Sequence, residues 1–399
     1  MKKIIFLALG FPNASKSTNI YTDLISEFCT KGHDVLVLAP AASKDDVGFR
    51  QEAGVKVLRV KTLPLFNVGA IKKGIANLLL ARQYKKALIN NNIKLDFDLI
   101  LMPTPPITLT PVASWLKKKT GGKLYLILRD IFPQNAVDLN MMKDKGLFHN
   151  YFRKKEEALY VVSDSIGCMS PANVNYVKEH NPTMDFSKLH LLPNWENLPV
   201  YKEEIKLDSL VSKYGLKDKF ILIFGGNIGK PQKLENIINL AKNCLDYPDI
   251  VFFIIGTGTE KEKIFNMAKD LKLPNVILEN KLPKADYNNL LRIADVGLIS
   301  LSEDFTIPNF PSKVLSYYGN KIPVLASVDL QTDFGTILEE INSGVWAEAG
   351  KTDELKDKLL LLYKNSDLRK EMGENGYDYM KQNLLPDNAY KTIIEKTMS

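Results

Sequence analysis

The sequence predicts an α/β protein of two consecutive doubly wound domains with a helical C-terminus. Short apolar runs alternate with amphipathic stretches from end to end, the pattern of parallel strands joined by helical crossovers. The series is interrupted once, by the polar, charge-rich segment 194–218, and then starts again. A chain of 399 residues with 45% hydrophobic content can bury two cores of ordinary size.

In the first half, strands are expected over residues 3–9, 34–38, 55–60, 99–102, 123–128, 165–169 and 189–192, with helices over 19–30, 71–90 and 111–119. The run 3–9 reads as a buried strand because it is short and lacks a small-residue cleavage site before Pro12. Lys31-Gly32-His33 closes the first helix as a glycine cap. Residues 99–116 are uncharged, but Pro103, Pro105, Pro106 and Pro111 break them, so no transmembrane helix is expected. The second series has strands over 220–224, 250–255, 276–279, 296–301 and 324–327, with helices over 233–243, 261–272, 284–294 and 312–318. Residues 353–399 read as helical. The expected domains are 1–195 and 205–382, with 383–399 a helix packing back on the first domain. Two such Rossmann-like domains in succession imply a cleft in which ligands bind.

Composition narrows the function. The three cysteines, Cys29, Cys168 and Cys244, are far apart and form no C-x-x-C pair, which fits a reduced cytoplasm. Four histidines, none near another, argue against a metal site. Residues 1–200 hold 27 Lys and Arg against 17 Asp and Glu, whereas residues 201–399 hold 26 against 29, so the front half faces something anionic. Nothing between Ala53 and Leu95 is acidic, while Lys56, Arg59, Lys61, Lys72, Lys73, Arg82, Lys85, Lys86 and Lys94 are basic. Interleaved with Leu63, Leu65, Phe66, Ile71, Ile75, Leu78, Leu79 and Leu80, this run reads as an amphipathic segment on anionic lipid, with Lys72, Lys73, Lys85 and Lys86 as its contacts. No nucleic-acid module is recognisable.

The most informative stretch is 309–327, a proline-stiffened loop, a short helix opened by Ser312-Lys313, and a Pro-initiated apolar strand. A helix start with a hydroxyl and a lysine suits a diphosphate. Two further strands end in glycine loops. Gly225-Gly226-Asn227-Ile228-Gly229-Lys230 follows the first strand of the second domain, and Gly256-Thr257-Gly258 follows the next. Neither has the spacing of a dinucleotide fingerprint or a P-loop. In the first domain Asp130 ends an apolar strand directly after Arg129, which is expected to keep it ionised, so it is the candidate to orient an incoming hydroxyl or accept its proton. Glu303 and Asp304 follow the strand 296–301 and point toward the same nucleotide site. Asp96-Phe97-Asp98 spells D-x-D but sits at the amino end of its strand, so no metal is assigned.

Taken in order, these pieces resemble the family four retaining glycosyltransferases of GT-B architecture, over nearly the whole chain. The carrying motifs are the 225–232 loop, Ile254-Ile255-Gly256-Thr257-Gly258, the 283–295 helix ending in Ala294-Asp295, the Pro311-Ser312-Lys313 to Ile322-Pro323-Val324 block, and Arg129-Asp130-Ile131-Phe132-Pro133. Pro-Ser-Lys and Gly-Asn-Ile-Gly-Lys are closest to the WbuB-like subgroup, which builds O-antigen and capsule units. The resemblance puts the family's two E-x7-E glutamates at Pro308 and Ser316, and its phosphate-loop Arg and Lys at Asn227 and Gln232. Lys230 and Lys313 are then left to neutralise the diphosphate. It implies donor binding by Gly226, Asn227, Ile228, Gly229, Lys230, Gly256, Ser312, Lys313 and Ser316, a sugar contact from Glu303, Asp304 or Asn309, and an acceptor side at Gly10 and Arg129. The implied activity is metal-independent hexosyl transfer, without a cofactor, from a UDP-sugar to a lipid-linked or membrane-proximal saccharide in capsule or O-antigen synthesis. The implied place is the cytoplasmic face of the membrane. A nucleotide-sugar 2-epimerase of the same architecture and a catalytically degenerate partner subunit are the alternatives.

Overall fold

The computed structural model describes residues 1–65, 69–201 and 207–398, and the boundary expected at residue 205 and Phe66 of the expected amphipathic run lie outside them. The chain divides into two compact units, Met1–Asn197 with Pro386–Ser399, and Leu198–Leu385.

The first unit runs β1 (Lys3–Leu7), α1 (Ile20–Thr30), β2 (Asp34–Pro40), β3 (Gly48–Glu52), β4 (Val55–Val60), α2 (Ala70–Asn90), β5 (Leu99–Pro103), α3 (Thr110–Thr120), β6 (Lys123–Leu128), α4 (Gln134–Asp138), α5 (Leu147–Val162), β7 (Ser165–Cys168), α6 (Pro171–His180) and β8 (Leu189–Leu191). Its sheet has the order β3-β4-β2-β1-β5-β6-β7-β8, and each described pair is parallel except β3 with β4. The strands are continuous apolar runs because helices cover both faces. One core packs α2, α3 and α5 on the sheet, and the other holds α1. Strand order reverses between β1 and β5, which makes the carboxyl ends of those strands the ligand-binding edge.

The second unit runs α7 (Leu207–Tyr214), β9 (Phe220–Asn227), α8 (Glu235–Asn243), β10 (Ile250–Thr257), α9 (Lys261–Asp270), β11 (Val276–Glu279), α10 (Lys284–Ile293), β12 (Val296–Ser300), α11 (Val314–Gly319), β13 (Val324–Val328), α12 (Phe334–Ile341), β14 (Gly344–Glu348), α13 (Thr352–Lys364) and α14 (Ser366–Asn383). Its sheet is parallel in the order β11-β10-β9-β12-β13-β14, with the reversal between β9 and β12. The last helix, α15 (Pro386–Met398), belongs to the first unit. There Tyr390 stacks edge-on against Phe28 of α1 with centroids 4.9 Å apart, and its hydroxyl meets His33 Nε2 at 2.9 Å.

Strand β3 departs from the sequence reading. Its segment, GFRQE, has one apolar side chain, Phe49, which is exposed, and its one buried residue is Glu52, so no apolar period marks it. Glu52 is the reason for the hairpin. Its carboxylate receives Arg59 Nε at 2.8 Å and Nη2 at 2.5 Å, and Arg59 also donates to the Phe11 carbonyl at 2.7 Å and the Pro12 carbonyl at 3.1 Å. The pair is buried, with side chains 4% and 7% exposed. Arg59, counted above among lipid-facing charges, is instead an internal pin that ties the hairpin to the loop after β1. Removing one member of a buried pair leaves an uncompensated charge, at a cost of about 3–5 kcal/mol. Glu52→Ala should therefore lower the urea midpoint of the first unit's unfolding by that scale, whereas Lys56→Ala, an exposed pair with Asp34, should cost no more than about 1 kcal/mol. Equal, small shifts in both variants would show that the buried pair contributes nothing.

Candidate active site

In the second unit the reversal point gathers the loops after β9 and β12. Strand β9 ends in Gly225-Gly226-Asn227, with Gly226 at φ +134° and in register with Gly256 of β10. Gly256, in β10, and Gly258, just past its end, are required by close packing. A Cβ at Gly256 would collide with the Gly226 carbonyl, and one at Gly258 with the Ile228 backbone. Ile228 is itself a core residue, fully buried, with its N–H given to the Thr257 carbonyl at 2.9 Å and its own carbonyl taking Glu260 N–H at 3.0 Å. It anchors the loop and has no backbone donor to offer a ligand. The Gly229 N–H is likewise used, by Gln232 Oε1 at 3.2 Å, which also receives Asn227 Nδ2 at 3.1 Å. Gly226, Asn227 and Lys230 remain exposed.

Lys313 lies against this loop. Its side chain crosses Gly226, where an added Cβ would stand 2.7 Å from Lys313 Cε, and its Nζ is 4.5 Å from the centroid of the Phe224 ring. Among the described residues no carboxylate pairs with it. Burial pushes its ammonium down to about 8. The helix begins later than the sequence suggests. The N–H groups of Val314 and Leu315 bond the carbonyls of Pro311 and Ser312 at 3.2 and 3.3 Å, a tight turn that makes Lys313 the N-cap and leaves Ser312 in the turn, exposed. Ser316 lies in the helix and its carbonyl receives Asn320 Nδ2 at 2.8 Å. Asn309 is half-buried, its carbonyl taking Thr332 Oγ1 at 2.9 Å.

Glu303 and Asp304 are engaged by a residue that the sequence reading used only to open a helix. Lys233 Nζ is 2.7 Å from Glu303 Oε1 and 3.8 Å from Asp304 Oδ2. Against partial burial, that hydrogen bond holds the Glu303 carboxyl below its ordinary range. The same corner is stitched by Ser302 N–H to the Pro231 carbonyl at 2.9 Å, so the loops after β9 and β12 form one piece.

In the first unit Asp130 stands just past β6. Burial raises its carboxyl to about 6, while hydrogen bonds from Asn135 and the Ile131 N–H pull the other way. Its Oδ2 accepts Asn135 Nδ2 at 2.7 Å, and Thr104 Oγ1 joins the strand ends, donating to the Asp130 carbonyl at 3.3 Å and accepting Arg129 N–H at 3.1 Å. The expected Arg129–Asp130 pair is not formed. The guanidinium instead lies 5.8 Å over the Trp195 ring with Nη1 buried and unpartnered, because consecutive residues leaving a strand point to opposite faces. Trp195 is held by its indole N–H on the Ile20 carbonyl at 2.7 Å. Gly10 is exposed, and a Cβ there would meet nothing, so packing does not demand glycine.

Asp96 and Asp98 clamp the amino ends of β1 and β5. Asp96 takes Lys3 Nζ at 2.5 Å and Lys94 Nζ at 3.1 Å, and Asp98 takes the Lys3 N–H at 2.7 Å. Helix α2 exposes Lys72, Lys73, Lys85 and Lys86 with Ile75, Leu78 and Ile89, although Lys85 also lies 5.0 Å over the Trp115 ring. Among the described residues no helix is long and apolar enough to cross a membrane.

Comparisons with known proteins agree with this architecture. Residues 208–379 match the family described as glycosyl transferases group 1. WbjE of Pseudomonas aeruginosa, named as a glycosyltransferase, is 26% identical over 62% of this chain and 61% of its own length. WcaI of Escherichia coli, named for colanic acid biosynthesis, is 25% identical over 72% of each chain. The fold matches the crystal structure of Anabaena HepE in complex with UDP and glucose at a TM-score of 0.72, with 15% identity and 99% of each chain covered. Two sheets with their reversal points, a match to the group 1 family over most of the second unit, and relatives named as glycosyltransferases agree: the chain has the GT-B fold, and its second unit is similar to the glycosyl transferases group 1.

Proposed function

We propose that the chain is a retaining, metal-independent transferase of family four that moves a sugar from a UDP-sugar to a lipid-linked or membrane-proximal saccharide in capsule or O-antigen assembly. The observation that carries the donor half is Lys313, a desolvated cation lying on Gly226 with no carboxylate partner among the described residues. An ammonium in that condition is stabilised by an incoming anion, and a diphosphate supplies one. The complex of HepE, a solved structure of this fold, with UDP-glucose supports a donor of this kind. The name of WcaI supports a role in cell-surface polysaccharide.

In the proposed reaction the acceptor oxygen bonds to the anomeric carbon as the bond from that carbon to the diphosphate oxygen breaks. Lys313 and Lys230 stabilise the charge that grows on the leaving group. The acceptor proton passes to the leaving phosphoryl oxygen on the same face, which gives retention. Asp130 is the group assigned to the acceptor, where its carboxylate accepts a hydrogen bond from the hydroxyl and so orients it, and Gly10 and Arg129 belong to the same side. Glu303 is better read as the partner that fixes Lys233 than as a free sugar ligand.

Lys313→Ala should remove a charge-assisted contact worth about 1.5–3 kcal/mol, read as a smaller UDP-induced rise in melting temperature. A folded variant stabilised by UDP as strongly as wild type would place the diphosphate elsewhere. Asp130→Asn should lower transfer by roughly 10²-fold while UDP binding barely moves. If Asp130 works as a carboxylate, wild-type kcat/KM falls as pH drops through about 6, where the group protonates, and the Asn variant loses that limb. Equal loss of binding and transfer would make Asp130 a structural pin. Release of free UDP from a UDP-sugar by purified protein would separate a transferase from a degenerate subunit.

A further inference from the structure

From residues 141–155 we propose that the first unit anchors end-on in an anionic bilayer through the tip of α5. The inference rests on the lipid-linked acceptor proposed above and names the surface that meets the lipid. Four large apolar side chains are exposed within this short stretch: Leu147 is 90% exposed, Phe148 75%, Met141 73% and Tyr151 44%. A concentration of that kind on a folded surface marks an interaction site. Its occupant is indicated by charge. Residues 141–157 carry five cations, Lys143, Lys145, Arg153, Lys154 and Lys155, against three carboxylates. One of the three, Glu156, is buried and bonded to Arg153 at 2.6 Å and to Tyr160 at 2.7 Å. Exposed apolar groups ringed by lysines suit the boundary between acyl chains and anionic headgroups.

The tip is braced against the Asp130 loop. Phe152 of α5 stacks edge-on against Phe132 at 5.1 Å, and Phe132 lies two residues after Asp130. On the helix's inner side Glu156, Leu159 and Tyr160 are buried, so Leu147, Phe148 and Tyr151 stand outward on a helix that is fixed in the unit. Topology then orients the unit. Helix α5 starts at the carboxyl edge of the sheet, as does α2, whose first turn carries Lys72 and Lys73. Lys85 and Lys86 sit near the other end of α2, a helix about 30 Å long at 1.5 Å per residue. Contact through the tip therefore recruits Lys72 and Lys73 and leaves Lys85 and Lys86 away from the lipid, which differs from α2 lying flat on the membrane. It also sets the Asp130 loop at the bilayer surface, where a lipid-linked saccharide presents its hydroxyl.

The test is sedimentation with vesicles of phosphatidylcholine containing phosphatidylglycerol, and with pure phosphatidylcholine. The full chain should partition to the anionic vesicles. Leu147→Ala/Phe148→Ala should reduce partitioning by roughly tenfold or more, given the apolar area withdrawn. Lys72→Glu/Lys73→Glu should also weaken it, whereas Lys85→Glu/Lys86→Glu should leave it near wild type. Phe148→Trp supplies a second reading that survives any folding defect in the double variant, a blue shift of its emission, relative to wild type, on adding anionic vesicles. Wild-type protein that fails to sediment, a tip variant that sediments as well as wild type, loss confined to the Lys85/Lys86 variant, or emission of the Phe148→Trp variant unmoved by vesicles would each overturn the proposal. A concentration-dependent dimer abolished by the tip variant, without vesicle binding, would assign the patch to a second copy and also overturn it. UDP-induced stabilisation, measured without vesicles, is independent of the tip, so failure of the anchor and failure of the transferase reading are told apart.

Discussion

The proposed site depends on a lysine ammonium, that of Lys313, kept without a carboxylate partner among the described residues. A charge buried beside apolar groups is costly, and proteins normally pair it. Lys313 is placed across Gly226 and over the Phe224 ring, and its cost is expressed as an ammonium pushed down to about 8. The surrounding structure maintains that arrangement. Gly256 and Gly258 let the β9 and β10 loops touch, Ile228 is buried to lock them, and Gln232 spans the turn. Lys233 meanwhile pairs with Glu303 of the loop after β12. The loop is thus rigid before any ligand arrives, the condition under which electrostatic stabilisation is most effective.

The first unit handles its ionisable groups differently. Asp130 is half-withdrawn from water and receives one side-chain amide, so its carboxyl titrates close to neutrality rather than being held ionised by an arginine. Arg129 is turned away onto Trp195. A carboxylate poised at about 6 is suited to exchanging a proton. The buried Glu52–Arg59 pair fixes the loop after β1 through the Phe11 and Pro12 carbonyls, so two switch-point loops, one in each unit, are braced by internal hydrogen bonds.

Much of the fold was legible in the sequence because parallel strands covered on both faces are nearly unbroken apolar runs. Ile4 to Leu7, Leu99 to Met102 and Leu222 to Phe224 are fully buried and could be read directly. Strand β3 was not, since its one phenylalanine, Phe49, is exposed and its one buried residue is a glutamate. At the site, the glycine loop and Lys313 were legible by residue type and order. What the sequence could not show was which donors were already used. The fate of the Ile228 amide, the Lys233–Glu303 pair and the separation of Arg129 from Asp130 all depend on contacts between elements far apart in the chain or on the alternation of a strand's faces. Ser312 illustrates the same limit, because a tight turn moved the helix start past it.

The most direct measurement is the titration of Lys313 itself, followed by NMR of its Cε in selectively labelled protein with and without UDP. The account predicts a midpoint near 8 in the free protein, below the ordinary lysine value of 10.5, and an upward shift when UDP binds, because the anion favours the charged form. A midpoint at the ordinary lysine value that UDP does not move would contradict the claim that this cation is held in reserve for the diphosphate.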